Sequence, residues 1–515
     1  MEFSNAERDV FLIKIEKMID RGALMSRYSR ASDPDIRSVY EKEFKTGAKS
    51  GEEFYRRIFL EYGDESIAEL TTAQMGIQNV SNVASKIIEE IRIGLSYLEK
   101  STRYVRYDKK VDGRYLYISP ERIGISGDDA KDYVQLCDNL FEFYSKALPQ
   151  VEDYLRHKFP QDKLVFQNAG GKTLTEMDQN EKKIAERSYI NAVRSRALDD
   201  VRYILPASTL TNIGISGNGR ALIHLIQKLM EYEIPETTKL AKDIYDELKP
   251  ELPQLIDDAL SGHGLEIINF KKNLMGLFPY DLTGNFERIR LLSYGEEDKE
   301  LRKVASLIEY PFHGDAASLY SRSSESYVKY MKELIESIRS LRANRRMKPG
   351  RAFESVNYVF ELNLNYGSFR DLQRHRFLGI IRKPLTAAYG YDTPPVISAI
   401  DELKTQYDEL MANSSSFYQR LREKYGPWIS QYVVPFAFKY PITFSTNLSE
   451  VTYFVELRST AQAHFDLRDI AVSMYREVSK VHPTLSRIIK FVDTADYPLG
   501  RLSAEFRKES KKAGI

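Results

Sequence analysis

The chain of 515 residues contains a single cysteine, Cys137, so no intramolecular disulfide can form and no cysteine-based metal site is available. Its seven histidines, at 157, 224, 263, 313, 375, 464 and 482, form no His-x-x-x-His or Glu-x-x-His pair, which leaves a catalytic metal without support. No Gly-x-Gly-x-x-Gly follows a strand and no Gly-x-x-x-x-Gly-Lys-Ser/Thr is present, which argues against a dinucleotide fold or a nucleotide triphosphatase. Net charge is +1, too little to capture nucleic acid nonspecifically, so any anion site must be a local cluster. No apolar run approaches a membrane span and the N-terminal segment is polar, so the expectation is a soluble, cytoplasmic protein with no membrane partner.

What is present is an ordinary globular composition, 42% hydrophobic and 29% charged, in a chain long enough for two or more domains. Residues 5–100 read as mostly helical, with Val80, Val83, Ile87, Ile88 and Ile91 at helical spacing and Gly94 ending the run. A polar segment, Glu99 to Tyr107, follows, with Ser101, Thr102, Arg103 and Tyr104 at its centre. Hydroxyls beside an arginine suit a phosphate, although the arginines could equally be an exposed face. Tyr115–Pro120 reads as a short strand and 128–158 as an amphipathic helix that takes Cys137 as a small apolar filler. Asn218 and Arg220 stand at the start of another helix, where free amides also favour an anion.

Periodicity lapses around 255–285, which places a boundary between a first domain, 1–260, and a second, 275–515. The alternation of Val356, Tyr358, Phe360, Leu362 and Leu364 is the clearest strand signal. It feeds Arg374-His375-Arg376, two guanidiniums flanking an imidazole in what reads as one helical turn. Such charge density wants an anion or an electron-rich ring, the alternative being a solvated basic turn. Tyr453–Gln462, read as an apolar strand around Arg458, leads to a helix with Leu467, Ile470, Ala471 and Met474 inside. The halves also echo each other. Pro206 and Pro435, and Asn218 and Asn447, are each 229 positions apart, and Glu65–Glu69 and Arg351–Glu354 each precede a strand. Fixed-offset similarity suggests duplication of one α/β domain.

These segments resemble the flavin-dependent thymidylate synthases, whose Arg-His-Arg, Ser-x-Arg-Tyr, Arg-x-x-Leu-Pro, Asn-x-Arg and Leu-Arg pieces are divided here between the halves. The first half keeps Ser101-Thr102-Arg103-Tyr104, Arg202 before Leu205-Pro206, and Asn218-Gly219-Arg220. It has Ile91-Arg92-Ile93 for Arg-His-Arg and Lys228-Leu229 for Leu-Arg. The second half keeps Arg374-His375-Arg376 and Leu457-Arg458. It has lost the arginine from Leu385–Tyr389, and Gln431 replaces the one before Val434-Pro435. Asp64, Leu98 and Pro349 also depart from the family pattern.

The resemblance implies an α/β (α+β) fold: two copies of the family domain, each an antiparallel sheet core with long helices, paired as an intrachain pseudo-dimer. It implies conversion of dUMP to dTMP with FAD as cofactor, and methylenetetrahydrofolate and NADPH as co-substrates. Arg458 would be catalytic. Glu99, Ser101, Thr102, Arg103, Arg202 and Arg374 would bind dUMP. Ser66, Arg374, His375, Arg376, Asn218, Arg220 and His224 would hold the flavin, with no metal and no protein nucleophile. Two chains would pair as a homodimer, a pseudo-tetramer. The alternative is an inactive flavin- or nucleotide-binding paralogue with a regulatory or scaffolding role. Structural roles are also open: Arg458 as a partner of Glu456 or Asp466, His375 and His224 as buried helix or core histidines, and Arg202 as a helix C-cap.

Overall fold

The computed structural model describes residues 2–47, 50–56, 65–322 and 324–514. Two antiparallel sheets carry the architecture. In the first, β1 (Thr72–Ser81) and β2 (Leu95–Glu99) flank β3 (Leu210–Asn218). In the second, the order is β4 (Ile289–Ser293), β5 (Asn357–Asn365), β7 (Lys439–Asn447), β6 (Gly379–Arg382). The helices that position the site, numbered along the chain, are α1 (Asn82–Ile88), α2 (Asp128–Lys158), α3 (Gln179–Val201), α4 (Gly219–Glu231), α5 (Tyr366–Leu372), α6 (Asp401–Ser430), α7 (Leu448–Arg458) and α8 (Phe465–Val481).

The repeat is visible strand by strand. β3 and β7 are 229 positions apart at both ends, and each is followed directly by a helix, α4 or α7, capped by Asn218 or Asn447. β1–α1–β2 and β5–α5–β6 match in the same way, with side chains of Ser81 and Asn365 as N-caps. A polar N-cap accepting a backbone N–H at the start of a helix is the local signal that turns strand into helix in all four places.

The two copies meet about a pseudo-twofold axis between Pro206 and Pro435, which form an isolated antiparallel bridge. Ala207 N–H donates to Val434 O and, symmetrically, Phe436 N–H donates to Leu205 O, both at 2.9 Å. Ser208 to Tyr432 O (3.0 Å) and Ala437 to Tyr203 O (2.9 Å) form the next matched pair. Reciprocal contacts of this kind define an isologous interface, here between halves of one chain. The long helices α2 and α6 also pack across it, through Phe143 and Tyr407 (6.0 Å between ring centres) and a Tyr425–Asp129 hydrogen bond. The fold is therefore the expected intrachain pseudo-dimer.

Helix 128–158, strand 357–365 and the buried face Leu467, Ile470, Ala471, Met474 match the sequence expectation. Four expectations do not hold. Residues 5–100 are not mostly helical, because 72–81 and 95–99 are strands. β1 hides its alternation behind Gly76 and a register shift between Ile77 and Val80, where Asn79 takes φ 55°. The helix read over Val80–Ile91 is only α1, with every one of its seven residues buried, including Lys86. Tyr115–Pro120 forms no strand, only a Tyr117–Thr209 bridge. Tyr453–Arg458 is the end of α7, not a strand; short apolar runs do not discriminate between the two periods.

Candidate functional site

The pseudo-dyad brings the C-terminal end of β2 and the segment after it against the C-terminal ends of α5 and α7. α5 stops at Leu372, so Arg374-His375-Arg376 lies in the turn beyond the helix rather than within one. Equal spacing from the N-caps Ser81 and Asn365 places Glu90-Ile91-Arg92 at the corresponding positions of the first half. That shifts by one residue the Ile91-Arg92-Ile93 expected from sequence.

A buried ion cluster fills this junction. Glu99 accepts from Lys86 Nζ at 3.0 Å and, across the halves, from Arg370 Nη2 at 3.2 Å, with Arg374 at 3.8 Å. Burial alone would raise its pKa; Lys86, Arg370 and Arg374 outweigh this and hold it at about 2. Arg370 also donates to Thr102 Oγ1 at 3.1 Å and lies over the Phe436 ring. Arg103 is clamped by Asp199 through two 2.7 Å bonds and reaches Gln462 O at 3.3 Å. Arg202 donates to Gly367 O (3.2 Å) and Asp371 (3.4 Å), again across the halves. Asp371 is the hub. Although buried, it is driven well below the usual carboxylate range by Arg202, Arg103, Arg374 and Arg458.

Arg458 is oriented by a three-residue chain. Its Nε donates to His375 Nε2 at 2.9 Å and its Nη2 to Asp371 O at 3.0 Å. A ring nitrogen that accepts from a guanidinium carries no proton. His375 is therefore the neutral tautomer with its proton on Nδ1, which faces Glu450 at 3.1 Å. Burial pushes the His375 pKa down, in agreement. Neither proposed structural partner of Arg458 pairs with it: Glu456 holds Arg342 and Asp466 holds Arg288.

The Nε–H groups of Arg202 and Arg370 are buried without an acceptor among the described residues. Arg374 has Glu99 as its one ion-pair partner there, and Arg376 spends one bond on Leu95 O at 2.6 Å. A cleft of about 650 Å³ reaches the Arg103–Asp199 pair, and Arg196, Arg468, Arg476 and Arg501 are among its walls. Orphaned donors, surplus positive charge and an open cleft fit an anionic ligand.

A profile of the family described as thymidylate synthase complementing protein matches residues 15–254 and again 290–484. The chain belongs to this family, in tandem duplicate. It is 61% identical to a UPF0159 protein of Thermoplasma acidophilum over 97% of this chain and all of that one. A UPF0159 protein of Chlamydia pneumoniae is 33% identical over 98% of this chain and 96% of its own length. A flavin-dependent thymidylate synthase of Sulfurisphaera tokodaii is 32% identical over 22% of this chain and 43% of its own. Among solved structures, a UMP/dUMP methylase from Streptomyces cacaoi, bound with 5-Br dUMP, covers 40% of this chain and 94% of its own at 16% identity and TM-score 0.32.

For this duplicated family member, the structure gathers Glu99, Thr102, Arg103, Arg202, Arg374, His375 and Arg458 into one cluster. Ser101 supports it locally by accepting from Arg103 N–H at 3.2 Å. Arg376 stays close: it binds Leu95 O, beside the Gly94 carbonyl that takes Asn218 N–H at 3.0 Å. Asn218 caps α4, and Arg220 pairs with Glu69 at 3.1 Å. His224 is exposed on α4, so the buried-helix alternative does not hold for it. Arg202 does occupy the C-cap position of α3, but its side chain turns inward. The side chain of Ser66, like Asp64, lies outside the described residues. Reading the sequence missed Asp371, Asp199, Arg370, Lys86 and Glu450. Asp371 and Arg370 lie three and four positions before Arg374, and an acidic residue inside so basic a segment was the available signal.

Proposed function

We propose that the chain reductively methylates dUMP to dTMP, with methylenetetrahydrofolate and NADPH as co-substrates and FAD as cofactor. The site would be a composite one between the halves. The observation that carries this is the cluster itself: Glu99, Thr102, Arg103 and Arg202 from one half close against Asp371, Arg374, His375 and Arg458 from the other. Arg103 and Arg202, with Ser101 and Thr102, would bind the nucleotide phosphate by charge-assisted hydrogen bonds. Arg458, held by neutral His375 and through it by Glu450, would present a fixed guanidinium to the negative charge that accumulates on the pyrimidine when its C5 attacks carbon. Arg374 and Arg376, with unspent N–H donors, fit the phosphates of a flavin dinucleotide, and Asn218, Arg220 and His224 would extend that surface. When bound, the flavin supplies the hydride. No protein nucleophile is used: Cys137 is buried in α2 and its thiol is pushed up to about 12 by burial. A second copy of the chain would complete the assembly as a pseudo-tetramer, measurable by light scattering.

One observation favours a second reading, an inactive nucleotide- or flavin-binding paralogue. Asp199 already occupies both arms of Arg103, so the phosphate must share or displace it. The visible spectrum of the protein with FAD, titrated with dUMP, and then a dTMP assay, separates the two. A flavin spectrum perturbed by dUMP with multiple turnovers, lost in Arg458→Ala, is expected. Unchanged turnover in that variant refutes the mechanism, and stoichiometric binding without turnover selects the paralogue.

A further inference from the structure

The pseudo-dyad that assembles the cluster also creates its counterpart on the other side of the axis, and there the chemistry has changed. Glu99 pairs with Ile213 and Arg382 with Ile442, positions that correspond in β3 and β7. The Glu99–Arg374 contact is thus matched by Arg382–Glu90, an ion pair of the opposite sense, to which Lys228 adds a 2.9 Å contact. Where the cluster has Arg458, Arg202, His375 and Asp371, the counterpart has Leu229, Gln431, Ile91 and Ile87. The groups needed for the proposed reaction are absent, yet a cleft of about 510 Å³ persists.

Its unspent groups describe a ligand. Glu89 and Gln373, equivalent residues at the ends of α1 and α5, both line the cleft and are 1% and 6% exposed. Each has one buried oxygen, Glu89 Oε1 and Gln373 Oε1, that accepts nothing among the described residues. Two buried acceptors lining one cleft call for two donors. Trp428, flanked edge-on by Tyr232 (4.7 Å) and Tyr280 (5.6 Å), and the exposed Ile381 supply a wall for a flat ring. Lys271 is exposed at the rim with no ion-pair partner among the described residues, and Arg92 spends itself on main-chain carbonyls of Leu378 and Arg376.

We propose that this cleft is a second, non-catalytic ligand site for a planar heterocycle that has two adjacent N–H donors and an anionic substituent. Guanine nucleotides and reduced pterins share that amino-pyrimidinone edge. Uracil does not: its ring N–H lies between two carbonyls, which would face the Glu89 and Gln373 oxygens. The cleft's status as counterpart of the catalytic site rests on the proposed function, but its ligand chemistry does not. The second oxygen of Glu89 takes Lys86 Nζ at 2.5 Å, and Lys86 donates on to Glu99. Lys86 thus joins the cleft to Glu99 of the composite site.

Trp428 is the sole tryptophan of the chain, so its fluorescence reports on this cleft alone. The full-length, flavin-free protein is titrated with GMP, with 5-formyltetrahydrofolate and with UMP, each corrected for absorbance against free tryptophan amide. A saturable change is expected with GMP or 5-formyltetrahydrofolate, and the one that saturates names the source. UMP is expected to give none. Glu89→Gln, which turns a donor toward the ligand, should weaken binding about tenfold or more. Lys271→Glu, at an exposed position that leaves folding untouched, should weaken it severalfold and abolish its salt sensitivity. Flat titrations with both ligands, an equal response to UMP, or full affinity in both variants overturns the proposal. Because no flavin or turnover enters the readout, this result stands apart from the dUMP-dependent flavin spectrum that tests the composite site.

Discussion

Asp371→Asn probes the hub of the cluster with almost no change in shape. In the native protein the Asp371 carboxylate sits 3.4 Å from Arg202 and draws on Arg103, Arg374 and Arg458 as well. Arg202 is 2% exposed, and its Nε already lacks an acceptor. Neutralising Asp371 leaves that guanidinium buried with only neutral oxygens, Gly367 O and the side-chain amide oxygen at 371, as its close acceptors among the described residues. Breaking a buried pair from one side costs about 3–5 kcal/mol. For cooperative units the size of these halves that is a fall in Tm on the order of 10 °C. The same substitution makes the pocket more positive, so an added anion should recover part of the loss. Thermal unfolding followed by circular dichroism, with and without inorganic phosphate or dUMP, measures both effects. The anion-induced rise in Tm should be larger in the variant than in the native chain. A variant as stable as the native protein, or one that neither phosphate nor dUMP rescues, would show that Asp371 does not organise the arginines.

Arg458→Lys keeps the charge but cannot span His375 Nε2 and Asp371 O together, so dTMP formation should fall about 10²–10³-fold while flavin is retained; the assay is turnover against the flavin spectrum. His464 is pushed down to about 3 by burial and by Arg202, from an ordinary value of 6.5. The unfolded chain thus binds a proton that the folded chain refuses between those values, and stability falls as pH drops through that window. This one group contributes a loss of at most about 2 kcal/mol by pH 5, read by urea unfolding, and His464→Gln should flatten the slope. Cys137, fully buried and with its thiol at about 12, should resist a thiol reagent at pH 8 until the protein is unfolded, and labelling of the native chain would contradict its placement.

The elements legible in the sequence were those with one dominant period and one buried face. α2 repeats Tyr133, Leu136, Cys137, Leu140 and Tyr144 inward, and β5 alternates cleanly, so both are readable. β1 is not, because Gly76 and the register shift around Asn79 interrupt its alternation, and α1 is not, because its neighbours enclose it. Lys86 and Glu89 of the α1 segment look like solvent-facing charges in the sequence but are 0% and 1% exposed, compensated by each other and, for Lys86, by Glu99 of β2. The motif residues could be listed from sequence, and the cluster they form could not. Asp199 lies 96 positions from Arg103, and Asp371 169 from Arg202; the fold of the first half makes the one pair neighbours, and only the pseudo-dimer makes the other. The buried alternative for His224 failed for the opposite reason: a histidine among Leu222, Ile223, Leu225 and Ile226 can be taken for core, but it takes the one outward position of that turn of α4.

Duplication in one chain explains why the two halves could diverge as they have. In a symmetric homodimer every subunit must carry both faces of an interfacial site, because each face is used at one of the two equivalent sites. Once the subunits are fused, a face that serves only the second site is released from that requirement. The changes fall where this reasoning puts them. The first half lost the His375 and Arg458 equivalents, to Ile91 and Leu229, and the second half lost the Arg202 equivalent, to Gln431. All three losses empty the same side of the axis. The Arg382–Glu90 pair shows that this side was rebuilt as well as emptied, since a half-buried Glu90 facing the old glutamate position would have been two like charges in contact. Inverting one partner restored neutrality. Replacing Arg382 by Glu should therefore destabilise the chain, and combining it with Glu90→Arg should restore most of the loss, because the double variant recreates on this side the Glu99–Arg374 polarity of the other. If the double variant were no more stable than Arg382→Glu alone, the two corners would not be counterparts across the axis.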